Sequence, residues 1–150
     1  MKLLLDTNVL IDYFARRSPC FESWLVLRAM QAFGDAELWT SSKSFADVFY
    51  VLRKQVGSPE LQHAFEESTS FLRICSIDGN DILSASKARW PDFEDCLIYQ
   101  AAMKVKADAI VSRDADGFER SKIPVLSPCD LREYMEVEMG TEYDLVELGI

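Results

Sequence analysis

The opening stretch MKLLLDTNVLID restricts the fold more than any other part of the chain. Lys2–Leu5 is a short apolar run that stops at Asp6, and apolar residues resume after Thr7 and Asn8. A buried parallel strand that ends in an acid and turns directly into a helix reads this way. In open α/β sheets, ligands gather at the carboxyl ends of the strands. Asp6 is therefore a candidate for chemistry as well as for capping the helix that follows.

Strands and helices alternate along the rest of the chain. Val9–Phe14 reads as a short helix; Phe21, Trp24, Leu25 and Ala32 then recur at helical spacing and stop at Gly34. Glu37–Thr40 is short and β-prone, and Ser41-Ser42 caps a helix with an apolar stripe of Phe45, Val48, Phe49 and Leu52. Asp47 lies off that stripe. Ser58-Pro59-Glu60 starts a further helix, with Leu61, Ala64, Phe65 and Leu72 behind it. Ile74–Ile77 is expected as a strand, Asp78-Gly79-Asn80 as a turn and Ile82–Ala88 as a helix. Pro91-Asp92-Phe93-Glu94-Asp95 opens a helix that buries Leu97, Ile98, Ala101, Ala102 and Val105. Ala109–Val111 is a buried strand with Ser112-Arg113-Asp114 at its carboxyl end, a second strand-then-acid arrangement. Val125-Leu126 is a last short strand, and Ser127-Pro128-Cys129-Asp130 is a capping-box start for the final helix. The expected fold class is α/β, a three-layer α/β/α sandwich with a central, mostly parallel sheet. One domain is expected over residues 1–135, followed by an acidic C-terminal tail over 136–150.

An apolar share of 49% and a charged share of 27% describe a soluble globular chain that can bury a core without staples. No apolar run is long enough to span a bilayer, and the N-terminus lacks the features of a signal peptide. A cytoplasmic protein without a membrane partner is expected. Cys20, Cys75, Cys96 and Cys129 are scattered without C-x-x-C spacing and read as reduced residues in or near the core. The net charge of −9 excludes a passive nucleic-acid coat, which needs a basic face. It does not exclude an enzyme acting on nucleic acid, because divalent cations offset acids gathered in a metal site.

Four acids stand out: Asp6 and Asp114 at strand ends, Asp47 and Asp95 near helix starts. Asp92 shares a face with Asp95 if Pro91 is the first helical residue, and Asp116 follows Asp114 closely; both are further metal candidates. Each acid also has a plain structural role open to it, as a cap, a first-turn charge, a solvated helix residue or a turn residue. Crowded carboxylates need cations or raised pKa values to coexist near neutral pH. Mg2+ and Mn2+ prefer oxygen ligands, lower the pKa of a bound water and stabilise the leaving oxygen of a phosphoryl displacement. That chemistry needs neither histidine nor cysteine. His63 lies in a helix far from any acid motif, which argues against triads and zinc sites.

The blocks LDTNVLID, SSKSFADVFYVLRK, DFEDCLIYQAA, IVSRDADGF and IPVLSPCDL, in this order from about Leu3 to Leu131, resemble the PIN domain. The resemblance implies a parallel sheet flanked by helices and a metal-dependent endoribonuclease site that cuts RNA through a metal-activated water. Many small PIN proteins are VapC-like toxins of type II toxin–antitoxin pairs, held inactive by a small antitoxin and commonly dimeric. RNA, an antitoxin and a second copy of the chain are thus the implied partners, with Mg2+ or Mn2+ as cofactor. Asp6, Asp95 and Asp114 match the first, third and fourth family acids. Asp47 falls where most PIN nucleases carry glutamate; one methylene shorter, it reaches a metal less easily, or through a water. In the branch that DFED and SRD resemble most, the second and fourth positions are often asparagine, and aspartate at both favours a working metal site. Asn8 and Ser112 match polar positions that order the acids or a bound water. Arg113, beside Asp114, is the favoured candidate for substrate phosphate, with Arg16 behind it.

Two other classes compete. One is a non-catalytic PIN module that binds RNA or a protein partner, its site weakened by aspartate at position 47. The other is an unrelated acidic phosphotransfer protein. A haloacid-dehalogenase-like phosphatase wants a D-x-D pair where this chain has Asp6-Thr7-Asn8, and the acid pair and lysine of a receiver domain are not found.

Overall fold

The computed structural model describes residues 1–17, 20–138 and 140. Its strands are β1 (Lys2–Leu5), β2 (Glu37–Ser41), β3 (Leu72–Cys75), β4 (Ala109–Val111) and β5 (Val125–Leu126). They form one sheet in the order β3-β2-β1-β4-β5, with every neighbouring pair parallel. The helices are α1 (Thr7–Ala15), α2 (Cys20–Ala32), α3 (Ser42–Leu52), α4 (Ser58–Ser68), α5 (Gly79–Ala88), α6 (Phe93–Val105) and α7 (Pro128–Glu133). Asp116–Phe118 adds a 3-10 turn, and α7 runs on as a π-helical turn over Tyr134–Glu138.

β1 is the middle strand, and its side chains alternate between the two faces of the sheet. Leu3 and Leu5 enter the larger core with Leu10 of α1, Trp24 and Leu27 of α2, Val48 of α3, Leu61 of α4 and Leu131 of α7. Leu4 enters the other core with Ile98, Ala101 and Ala102 of α6, Ile110 of β4 and Phe118. Ala85 of α5 closes against Cys96 and Leu97 of α6. With helices on both faces, the central strands β1 and β4 are buried on both sides, which is why β1 reads as an unbroken apolar run. The expected three-layer sandwich is the observed one, and its sheet is parallel throughout.

Several local expectations are corrected. The third strand lies two residues earlier than expected, at Leu72–Cys75, so Leu72 belongs to the strand and not to α4. Among the described residues β3 pairs only with β2; as an edge strand it leaves Arg73 and Ile74 exposed, which blurs its pattern. Asp78-Gly79-Asn80 is a helix start rather than a turn. The Asp78 carboxylate accepts from the backbone of Asn80 and Asp81, and Asp81 answers to the Asp78 N–H, a capping box worth about 1 kcal/mol. Pro91 lies outside α6, which Asp92 caps. In α2 the buried face runs through Trp24, Leu27 and Met30, while Ala32 is exposed. Cys75 and Cys96 are buried, but Cys129 is exposed. Met135 packs in the larger core, and the tail expected over 136–150 lies outside the described residues beyond Glu138, Gly140 apart. Among the described residues, no helix is long and apolar enough to cross a membrane.

Leu4 is fully buried between the central strand and α6. Leu4→Ala is expected to cost about 2–5 kcal/mol, read from the midpoint of urea unfolding, because a middle strand has little room to collapse around the cavity.

Candidate active site

β1 and β4 are adjacent, with Leu5 opposite Val111. That register brings the next residues, Asp6 and Ser112, side by side where both strands end. The Asp6 N–H donates to Val111 O at 2.9 Å, and its extended backbone caps α1. The carboxylate is 5% exposed, and both of its oxygens are used. Oδ1 accepts from the Thr7 N–H at 2.7 Å, and Oδ2 accepts from the Ser112 hydroxyl at 2.7 Å. The Ser112 oxygen accepts in turn from Asn8 Nδ2 at 3.2 Å and from the Asp114 N–H at 3.0 Å. Asn8 Oδ1 takes the Arg113 N–H at 3.2 Å. Asn8 and Ser112 thus knit the β1 and β4 ends and fix the loop that carries Asp114. Burial pushes the Asp6 carboxyl up; the bonds from Ser112 and Thr7 oppose this, and Glu94 and Asp114 add to it.

Asp95 occupies the first turn of α6, half-buried, its N–H donating to Asp92 Oδ1. Its carboxyl is pushed up to about 7, first by burial and then by the charges of Asp92, Asp6, Asp114 and Glu94. Asp6, Asp95 and Asp114, drawn from three separate segments, therefore feel one another's charge. Gly117 leaves room for this: a Cβ there would lie 2.0 Å from Asp95 Oδ2.

Asp47 stands on α3, where Lys43 Nζ pairs with its Oδ2 at 2.5 Å and lies 3.7 Å from Glu94 Oε2. Burial, opposed by Lys43 and reinforced by the nearby carboxylates of Asp47 and Asp92, raises the Glu94 carboxyl. Glu94, Lys43 and Gly117 are the neighbours that sequence reasoning missed. Glu94 stood next to Asp95 inside DFED, but only the tertiary approach of α3 to α6 brings it to Asp47.

The remaining candidates fall elsewhere. Asp92 spends Oδ1 on the α6 cap, bonded to Glu94 N at 2.9 Å and Asp95 N at 3.2 Å. Asp116 is exposed at the start of the 3-10 turn. Arg16 is the exposed left-handed cap of α1 (φ 51°). The Arg113 side chain is turned to Asp12, which is 3% exposed, with Nε 2.6 Å from Oδ2. Because Oδ2 finds no aligned hydrogen bond, this contact is an ion pair only. His63 pairs with Glu67 on the exposed face of α4 at 3.4 Å.

All the acids offer hard oxygen donors, and their mutual repulsion is what a divalent cation relieves. As they stand, no three His, Cys, Asp or Glu side chains among the described residues converge closely enough to hold a metal ion. The donor chemistry suits Mg2+, which leans on one or two carboxylates and keeps several waters.

A parallel α/β sandwich with acids at the carboxyl ends of its central strands defines a recognisable class. The chain belongs to the PIN domain family, whose model matches residues 2–116. Its structure is similar to VapBC-1 from nontypeable Haemophilus influenzae (TM-score 0.65, 18% identity, covering 86% of this chain and 99% of that one). It is also similar to VapBC2 from Rickettsia felis bound to a promoter DNA fragment (0.63, 18%, 85% and 98%). A third similar structure is Mycobacterium tuberculosis VapC20, a Sarcin-Ricin loop cleaving toxin (0.63, 13%, 77% and 92%). At these identities the likeness is one of fold. No curated protein matches the chain significantly in sequence.

Two outcomes follow for Asp95. Its carboxyl titrates at 3.8 in the ordinary case and near 7 in the fold, so between those values the folded state holds the extra proton. Stability falls as pH rises through that window, and the full penalty is present above about 7. Asp95→Asn is thus expected to raise the melting temperature at pH 8 and to leave it nearly unchanged at pH 4, in metal-free buffer. Gly117→Ala forces the flexible Asp95 carboxylate aside rather than any backbone. The fold survives, and the Asp95 titration, followed by carboxyl NMR, moves away from 7.

Proposed function

We propose that this chain is a divalent-metal-dependent endoribonuclease that hydrolyses RNA phosphodiester bonds, and that it is the toxin of a type II toxin–antitoxin pair. The observation that carries the reading is that Asp95 is half-buried beside Asp92, Asp6 and Asp114, so that burial first, and these charges after it, push its carboxyl up to about 7. A chain keeps so costly an arrangement where a cation relieves it. Asp6, locked by Thr7 and Ser112, is the rigid ligand; Asp95 and Asp114 are its partners in holding Mg2+ or Mn2+. When bound, such an ion supplies an activated water and stabilises charge on the phosphoryl oxygens. Asp95 would release its proton to solvent on holding such an ion, because a carboxylate must be deprotonated to bind it. Asp47, short of the family's glutamate, acts together with Glu94, and Lys43 tempers their joint charge.

The similarity to a toxin that cleaves the Sarcin-Ricin loop supports RNA as the substrate, and the two VapBC structures support an antitoxin partner. A second copy of the chain is the expected oligomeric partner, and the cytoplasm the expected compartment. One observation favours the alternative, a PIN module that binds without cutting: no three acids converge as a ready coordination group among the described residues.

Cleavage of a mixed RNA by purified protein, with Mg2+, with Mn2+ and with EDTA, separates the readings. Cutting is expected with either metal, is lost in EDTA, and is abolished by Asp6→Asn while the thermal melt is kept. Absence of cutting by folded protein under every condition favours the binding module.

A further inference from the structure

Beside the acids lies a small open concavity, which the proposed hydrolysis does not use. Its wall joins the partly buried Trp90 and the exposed Pro91 to the acids Asp92 and Asp116 and the Arg120 guanidinium. The Trp90 ring is braced from behind. It stacks on Tyr99 with centroids 5.0 Å apart and meets Phe118 edge-on at 6.4 Å. Arg120 lies 6.0 Å from the Trp90 ring centre and donates Nη1 to Arg89 O at 3.0 Å, which leaves further N–H groups of its fork for a ligand. The Asp92 cap uses Oδ1. Gly117 lines this concavity and also touches Asp95, so whatever the cavity holds is a neighbour of the acid cluster.

We infer that this cavity is a nucleobase subsite selective for guanine, seating a base that flanks the scissile phosphate; the inference rests on the ribonuclease reading above. Unpaired RNA bases are held by stacking on aromatic side chains and read along their edges. Trp90 and Pro91 form the apolar wall for that contact. The edge is read by opposed groups: a carboxylate accepts from adjacent N–H donors, and an arginine donates to O6 and N7. Guanine carries N1–H and an N2 amine beside O6, so it satisfies both. Uracil has no amine and sets a carbonyl oxygen against an acid. A basic peptide side chain would meet the same acids but set its cation against Arg120, which favours RNA over a protein segment.

The test uses the full chain in metal-free buffer. Dinucleoside monophosphates carrying each of the four bases beside a common adenosine are titrated in and followed by tryptophan fluorescence, with Trp90→Phe assigning the signal. RNAs that differ only at that base are cleaved in parallel, in buffer with Mg2+ or Mn2+ added. Guanine is expected to bind about tenfold more tightly than uracil. Asp116→Asn and Arg120→Lys, the latter keeping the charge but not the fork, are each expected to erase the preference with the thermal melt unchanged. Equal affinity for the four bases, or a preference that survives both substitutions, overturns the subsite. Displacement of every dinucleotide by an arginine peptide that binds more tightly overturns it in favour of a protein partner. Guanine-selective binding without any cleavage upholds the subsite and overturns the nuclease reading instead.

Discussion

Everything at this site depends on one buried carboxylate. Asp6 is taken out of water at the end of the central strand, where an unpaired charge would cost several kcal/mol. Two short hydrogen bonds offset that cost, one from the helix that the residue caps and one from the hydroxyl at the end of the next strand. The same Ser112 oxygen then receives Asn8 and the Asp114 N–H, so the support of the first acid also orients the loop of another. A local capping interaction has become the hub of a network that spans β1, α1 and β4.

Charge around this hub is distributed unevenly, and the unevenness has chemical meaning. Asp47 and Glu94 share Lys43, and the buried Asp12 has Arg113. Asp95 has no such cation among the described contacts; burial first, and then the carboxylates it meets, push its carboxyl up to about 7. The two arginines adjacent to the acids in sequence illustrate the difference that folding makes. Arg113 neutralises a buried partner on α1, and Arg16 closes a helix; neither side chain is drawn into the acid cluster by any contact among the described residues.

The 3-10 turn over Asp116–Phe118 links the acids to the surface beside them. Phe118 anchors it in the core under Leu4 and α6, and Gly117 passes close enough to Asp95 that a side chain could not be accommodated without displacing the carboxylate. On its other side the turn forms the wall of the Trp90 cavity. A substrate strand crossing this edge of the sheet would therefore meet the acids and the cavity in succession.

The sequence by itself determined the alternation of elements, the buried middle strand and the acids at strand ends. These are local properties, set by apolar periodicity and by capping chemistry, and Asp6, Asp95 and Asp114 were legible through them. Edge and boundary details were not legible, because an edge strand such as β3 carries a weaker pattern and Asp78 can start a helix or a turn with the same residues. Only the tertiary structure decided which strands are neighbours. The register of Leu5 with Val111 places Ser112 on Asp6, and the approach of α3 to α6 brings Glu94 to the Lys43–Asp47 pair. Those pairings join residues tens of positions apart in the chain, so no local signal can announce them; they follow from how buried faces pack.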